Sequence, residues 1–270
     1  MKKFTIYIFI MLFASTAAFA QSGTEETTEN QSLTLSTEAL PITKAAADSA
    51  YINEQYDTAI AIYEELLSKK GTAAEVYYNL GNAYFRVDNI AKAIINYERA
   101  LLIKPNNSDY QANLAIAQAK IVDKYEAPNE LFFITWGKWI VNIMQSNQWA
   151  VTSIIFFLTL LTGLGLLLIG KSGLMKRIGL IVSCVFVFLT PVTTYCAYYQ
   201  KAKFQNRNAA IVVEPSIEVR STPSESGTAL FVIHQGKRVV IKDNTMSSWK
   251  EIKLENGEVG WLPTDAIEII

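Results

Sequence analysis

The chain has 270 residues and a formal net charge of −1, with 50% apolar and 18% charged residues. Soluble globular proteins average about 25% charged residues, so this composition indicates membrane spans. Near-neutral charge gives no reason to expect nucleic-acid binding. One histidine and two cysteines are too few for a His/Cys metal cluster or a disulfide framework, so we expect no metal, cofactor or disulfide scaffold.

The charges are unevenly distributed along the chain. Residues 21–130 carry 16 acids and 9 bases, and residues 208–270 carry 9 acids and 6 bases. Between them, residues 131–207 carry 7 bases and no acid. Because a solvated domain of that length rarely lacks carboxylates, this pattern predicts a membrane block between two acidic soluble domains.

The N-terminus has the features of a sorting signal. Lys2 and Lys3 precede an apolar run at 4–13, and the small residues that follow end in the sequence AFA at 18–20. This pattern predicts a signal peptide over residues 1–20, cleaved before Gln21. An uncleaved N-terminal anchor is the alternative, and both export the following chain. Residues 21–39 are polar and are predicted to form a disordered linker.

A repeat with a period of 34 residues follows. Six identities relate residues 34 positions apart: Ala59 and Ala93, Ile60 and Ile94, Tyr63 and Tyr97, Glu64 and Glu98, Leu67 and Leu101, and Lys70 and Lys104. Units of this length form helical hairpins that stack on one another. Residues 108–124 predict one more helix, with Ser108 as its N-cap, which would cover the end of the stack.

The second unit, residues 74–107, resembles the tetratricopeptide repeat family over its full length. Eight positions match the consensus of that family: Tyr77, Leu80, Gly81, Tyr84, Ala93, Tyr97, Ala100 and Pro105. The small residues Gly81 and Ala93 would let the two helices of a hairpin approach closely. The first unit, residues 40–73, matches more weakly. We therefore predict a tetratricopeptide domain with a capping helix over residues 40–127.

The resemblance implies a concave groove, lined by the first helix of each unit, that binds a peptide or another protein. The predicted groove residues are Lys44, Asp48, Tyr51, Tyr78, Asn82, Phe85 and Arg86. Asp48 and Asp109 stand where the carboxylate-clamp subfamily needs Asn and Lys, so we do not expect that clamp. In the alternative interpretation, Tyr78 and Phe85 only pack the helix pair.

Two apolar segments are long enough to cross a bilayer. Residues 150–170 and 178–200 carry no charge, which predicts two transmembrane helices. Residues 171–177 carry three bases and are predicted to form a cytoplasmic loop. Residues 128–149 contain Trp136, Trp139 and Trp149 and are predicted to lie in the lipid headgroup layer; a third span is disfavoured because Lys138 and Asn142 interrupt it.

Residues 208–270 alternate in the way of short β-strands. Six strands are predicted, separated by turns that include Asn256-Gly257. The segment EVRSTPS at 218–224 and the segment GWLP at 260–263 resemble those of bacterial SH3-like domains, small all-β barrels that bind cell-wall peptides or proteins. The resemblance makes Trp249, Trp261 and Pro263 ligand-face candidates; alternatively, both tryptophans fill the core and rim. His234 is expected at an exposed turn.

The predicted fold class is a multi-domain membrane protein. It comprises tetratricopeptide hairpins, two transmembrane helices and a C-terminal SH3-like barrel. The only histidine lies in the small barrel and no Gly-rich phosphate loop is present, so we expect an interaction protein and not an enzyme. An alternative is a cell-wall sensor that binds peptidoglycan peptides.

The order of these segments resembles that of BatE-type proteins of the Bat aerotolerance group. The resemblance implies a place in the bacterial inner membrane, with both soluble domains in the periplasm. It also implies partners in that membrane, which are von Willebrand factor A-type Bat proteins, another repeat protein and a MoxR-type ATPase. A role in oxygen tolerance or envelope stress is implied by the same resemblance.

Overall fold

The computed structural model of the chain describes residues 42–124, 131–205 and 207–270. The predicted signal peptide and the predicted linker lie outside the described residues. So does the start of the segment predicted to lie in the headgroup layer.

Five helices form the first part of the described chain. They are α1 (Lys44–Ile52), α2 (Tyr56–Lys70), α3 (Ala74–Arg86), α4 (Ile90–Ile103) and α5 (Ser108–Ala119). Each packs against the next, as the repeat predicts. A Cβ atom on Gly81 would lie 2.7 Å from the ring of Tyr97, so glycine is required for this close approach. Glu54 and Asp88 have positive φ angles in corresponding turns.

The end of the stack differs from the prediction by one residue. The side chain of Asn107, not Ser108, caps α5 by accepting a 3.0 Å hydrogen bond from the Tyr110 N–H. Ser108 is the first residue of the helix. Both residue types are good N-caps, and the pattern alone does not choose between neighbours.

Three helices form the acid-free middle of the chain. They are α6 (Phe132–Asn142), α7 (Ser146–Ile169) and α8 (Gly173–Gln205). By length and composition, α7 and α8 could each cross a membrane. Only 6% and 17% of their most apolar windows are buried, which distinguishes them from the core helix of a soluble protein. Both extend beyond the apolar segments from which they were predicted, and only residues 170–172 remain between them.

The helices α7 and α8 form an antiparallel pair, here called the membrane hairpin after the two spans that the sequence predicts. A Cβ atom on Gly179 would lie 2.6 Å from the carbonyl oxygen of Gly163. Side chains of Ser153 and Thr194 share a 2.6 Å hydrogen bond across the pair. Trp149 of α7 and Cys196 of α8 pack against Val141 of α6. The position of Gly179 therefore sets how closely the hairpin closes.

Seven antiparallel strands form the C-terminal part, here called the β domain (residues 208–270). They are β1 (Ala209–Val212), β2 (Ser216–Arg220), β3 (Ala229–His234), β4 (Arg238–Asp243), β5 (Trp249–Lys253), β6 (Val259–Pro263) and β7 (Ile267–Ile269). The sheet order is β3-β2-β6-β5-β4-β1-β7. The prediction of an all-β domain is confirmed. The seventh strand was not predicted; it pairs with β1, the first strand of the domain.

The β domain packs directly on the repeat helices. Ile211 of β1 and Ile270 are 0% and 3% exposed and belong to the same apolar cluster as Ile94 and Ile95 of α4. Ile121, which follows α5, joins them. We call this cluster the shared core. Because Ala210 and Val212 of β1 face the core of the β domain, β1 is buried on both faces. The repeat helices and the β domain therefore form one packed unit.

Polar contacts surround the shared core. Glu268 of β7 receives Lys92 at 2.5 Å and Arg99 at 3.0 Å, both from α4. Arg99 also donates to the carbonyl oxygen of Ile269. His234 was expected at an exposed turn, but it is half-buried: its backbone N–H donates to Asp123 at 2.6 Å, and its Nδ1 lies 3.0 Å from the same carboxylate. These bonds fix the orientation of the β domain on the helices.

Candidate peptide groove

The first helices of the two units form a concave surface with a cavity of about 250 Å³. The lining residues are Asp48, Tyr51, Ile52, Tyr63, Asn79 and Asn82. Asp48, Tyr51 and Asn82 were predicted as groove residues. Ile52 is 77% exposed, so the cavity wall includes one exposed apolar side chain. Such a concave, mixed surface suits a short peptide segment.

Asp48 is the charged centre of the cavity. Lys44 contacts it at 2.7 Å, the Tyr63 hydroxyl donates to it at 2.5 Å and the Asn79 amide donates at 3.1 Å. Burial opposes the charge, but the hydrogen bonds from Lys44 and Tyr63 outweigh it and hold the pKa of Asp48 below its ordinary value. Burial, with the same carboxylate, raises the pKa of Tyr63. Asp48 is therefore an ionised acceptor whose geometry is fixed from three helices.

Asn82 forms a second polar centre. Its Oδ1 accepts from the Tyr97 hydroxyl at 2.8 Å and from the Asn113 amide at 2.9 Å. Asn113 also donates to the Tyr78 hydroxyl at 2.9 Å. The bonds from Tyr97 and Asn113 fix the position of the Asn82 carboxamide, which lines the cavity.

The other predicted groove residues lie around this cavity and not in its wall. Lys44 bridges Asp48 and Glu75, whose carboxylate lies 3.0 Å away. Tyr78 stacks on Tyr110 of α5 with ring centroids 4.5 Å apart. It therefore contributes to packing between α3 and α5.

Phe85 and Arg86 lie at the end of α3. The Lys120 ammonium lies 4.4 Å from the centroid of the Phe85 ring, and Phe85 packs against the shared core. Arg86 donates to the Tyr56 hydroxyl at 2.8 Å and lies over its ring. Each of these side chains is thus held by a neighbouring helix.

Three cavity residues, Ile52, Tyr63 and Asn79, were not predicted as groove residues. Asn79 lies three positions before Asn82 on α3, so helical spacing places both on one face. That spacing was the available signal. Tyr63 belongs to the second helix of its unit, and only its long side chain brings its hydroxyl through to Asp48. Sequence periodicity gives no sign of that reach.

The ligand-face candidates of the β domain lie on the side of the sheet opposite its core. In β5 and β6 the fully buried residues are Ile252 and Leu262, whereas Trp249, Trp261 and Pro263 are half-buried on alternate positions. Trp249 pairs with Pro263 across the two strands. Their partial burial fits a ligand face and equally fits the rim position of the alternative interpretation, so the ligand-face assignment stays a prediction.

The comparisons with known proteins agree with the helical part of this description. Residues 74–107, which span α3 and α4, match the family model of the tetratricopeptide repeat. No curated protein matches the chain. Repeats of this kind stack into extended concave surfaces on which other proteins bind. The chain therefore contains a tetratricopeptide repeat, an architecture that serves protein–protein interaction.

Proposed function

We propose that the protein is a non-enzymatic interaction scaffold, anchored in the bacterial inner membrane by the membrane hairpin. The concave cavity beside α1 and α3 is the observation that carries this proposal. It combines an ionised acceptor at Asp48, the carboxamide of Asn82 and the exposed side chain of Ile52. These groups complement an extended peptide that offers backbone polar groups and one apolar side chain.

Anchoring is supported by the surface of the hairpin. Large apolar side chains on α7 and α8 are exposed, among them Leu168 at 77% and Phe188 at 72%. Water is a poor solvent for so much contiguous apolar surface, whereas lipid is a good one. Trp136 and Trp139 on α6 are exposed as well, and tryptophan favours the headgroup layer.

We further propose that the scaffold acts in a Bat/MoxR-type complex linked to aerotolerance or envelope stress. The support is the order of repeats, apolar helices and β domain along the chain. In this arrangement the repeats and the β domain are periplasmic, and the partners are von Willebrand factor A-type proteins and another repeat protein of the same membrane.

Site-specific photo-crosslinking tests the groove. A photoreactive residue replaces Tyr51 in the cavity and, in a matched control, Lys69 on the outer surface of α2. We expect the Tyr51 position to capture an envelope protein that the Lys69 position does not. Capture of the same proteins from both positions, or of none from Tyr51, would show that this cavity is not the docking site.

Cysteine labelling tests the topology. A membrane-impermeant maleimide should label Lys69→Cys in intact spheroplasts and Lys171→Cys only after lysis. Labelling of both positions in intact spheroplasts would refute a hairpin with a cytoplasmic turn.

The tryptophan face of the β domain favours a second candidate function, binding of peptidoglycan peptides. Trp249, Trp261 and Pro263 lie outside the sheet core and are available to a ligand. Because the β domain contributes to the shared core, sedimentation with purified cell wall needs the full chain in detergent. Loss of sedimentation in Trp261→Ala supports this function, and unchanged sedimentation contradicts it.

A further inference from the structure

We infer that the cavity where α8 leaves the membrane hairpin binds the phosphate headgroup of an anionic glycerophospholipid. This inference rests on the proposed membrane insertion of α7 and α8. The cavity has a volume of about 280 Å³ and lies between α4, the end of α8 and the β domain. All three parts of the described unit therefore meet at one site.

The cavity wall is cationic. Lys203, Arg207 and Arg238 line it, and Glu98 of α4 is the one carboxylate side chain in the described wall. These four side chains leave a formal charge of +2. The carboxylate of Glu255 interacts with the charge of Arg238, but Glu255 does not line the cavity. A phosphodiester carries one negative charge and fits this surplus.

Hydrogen-bond donors outnumber acceptors in the wall. Guanidinium groups offer five N–H donors each and an ammonium offers three. Asn208 adds an amide and Tyr199 a hydroxyl at the edge of the same cavity. Arginine and lysine donors bind phosphate oxygens through charge-assisted bonds. The donor set therefore selects an oxyanion.

The depth of the cavity matches the phosphate layer. The apolar part of α8 ends near Gln200, and Lys203 follows one turn later on a helix that rises about 1.5 Å per residue. Tyr195 and Tyr199, with ring centroids 6.3 Å apart, occupy the level at which tyrosine is enriched at membrane interfaces. Lys203 and Arg207 then lie just above that level, where lipid phosphates are found.

One face of α8 connects the cavity to the bilayer. Residues spaced three or four positions apart form an exposed apolar stripe, which comprises Ile181, Val185, Phe188, Val192, Tyr195 and Tyr199. Continuing by the same spacing, the stripe reaches Lys203, and Arg207 beyond the end of α8 lines the same cavity. The face is thus apolar along the hairpin and cationic at the cavity. A lipid matches this sequence of surfaces, with acyl chains on the stripe and its phosphate between the cations.

Lipid titration of the purified full chain in detergent tests this inference. The probes are dioleoyl phosphatidylglycerol, dioleoyl phosphatidylethanolamine and soluble glycerol 3-phosphate. We expect phosphatidylglycerol to bind, and Lys203→Gln and Arg207→Gln each to weaken it about fivefold. Lys201→Gln is the matched control, because Lys201 lies two residues from Lys203 and lines a different cavity. The affinity of this variant for phosphatidylglycerol should equal that of wild type.

Three results would overturn the inference. Equal affinity for phosphatidylethanolamine would show that the site does not select an anionic headgroup. Binding of glycerol 3-phosphate as tightly as the lipid would show that the acyl chains do not contribute. An equal loss in Lys201→Gln would show general surface attraction instead of a site. Carbonate extraction of membranes provides the separate check. A chain that stays in the membrane but shows no lipid preference contradicts only the lipid site, whereas a chain that is extracted contradicts the proposed anchoring. Unchanged circular dichroism of each variant confirms that it is folded.

Discussion

Replacing Gly236 by alanine should weaken the packing of the β domain on the repeat helices. Gly236 lies in the turn between β3 and β4 with φ +86°. A Cβ atom there would lie 2.4 Å from Ile121 Cγ2 and 3.3 Å from Ile94 Cδ1. Ile121 is 6% exposed and branched at Cβ, so its methyl group cannot rotate away without disturbing the shared core.

Two terms make up the expected loss of stability. Left-handed backbone costs about 1–2 kcal/mol for a residue with a side chain. Forcing an extra methyl group into a packed core adds about 1–3 kcal/mol. Gly257→Ala is the matched control, because Gly257 has φ +95° and no described atom lies within 4 Å of its Cβ position. Gly257→Ala should therefore lose only the stability that the left-handed backbone costs.

Thermal unfolding of the full chain in detergent measures the difference. Ellipticity at the helix band follows the repeats, and tryptophan fluorescence follows the β domain in part. An excess of 2 kcal/mol in Gly236→Ala over Gly257→Ala should lower Tm by about 4–8 °C further. Both signals should shift together, because the shared core belongs to both modules. Equal shifts for the two variants would refute the packed unit described above.

Three further predictions concern other contacts. Gly179→Leu should loosen the membrane hairpin and lower its resistance to protease in detergent by at least severalfold, because the new side chain would meet the backbone of α7. Gly165→Leu is the control, since its Cβ position has no described neighbour within 4 Å. This variant should resist protease as wild type does. Asp48→Asn should destabilise the repeats by about 1 kcal/mol at pH 7. Since the folded-state pKa of Asp48 is lowered, its contribution is present above the unfolded-state value and is lost as pH falls through the folded-state value, so urea unfolding of mutant and wild type should converge in acid; a constant difference would contradict the assignment. Glu268→Gln should cost about 1 kcal/mol, because the partly exposed carboxylate bridges Lys92 and Arg99, and 1 M salt should reduce the difference between the unfolding midpoints of wild type and variant.

Local patterns predicted the repeats and most of the sheet. The spacing of Gly81, Ala93 and Tyr97 requires a close helix pair, and the structure shows that pair. Alternating residues and the turn at Gly257 defined six strands. These features depend on neighbours in sequence, which is why they could be read from it.

Features that depend on distant contacts were missed or displaced. The strand β7 has only three residues and exists because β1 lies beside it. The run AAIVV at 209–213 does not alternate, which is typical of a strand buried on both faces, and it was the one signal for the shared core. The ends of α8 were placed where charge begins, but the change from apolar to charged residues does not end a helix. Lysine and arginine are good helix formers, so Lys176 and Lys201 lie within α8.

Three of the seven predicted groove residues line the cavity between α1 and α3, because helical spacing fixes which residues share a face. Their role in binding a peptide stays a prediction. The hydrogen bond from Tyr63 to Asp48 could not be predicted, since it depends on the distance between two helices. The further effect of that bond on the charge of Asp48 also follows from packing alone.

The position of β1 and β7 in the chain sets an order of events during biosynthesis. The apolar surface of α4 is complete once Ile103 has been made, but its cover arrives about 100 residues later in β1 and about 160 residues later in β7. At about 5–20 residues per second, this surface waits on the order of 5–30 seconds. A nascent chain of this protein therefore presents a transient apolar surface that a chaperone can bind before the β domain closes over it.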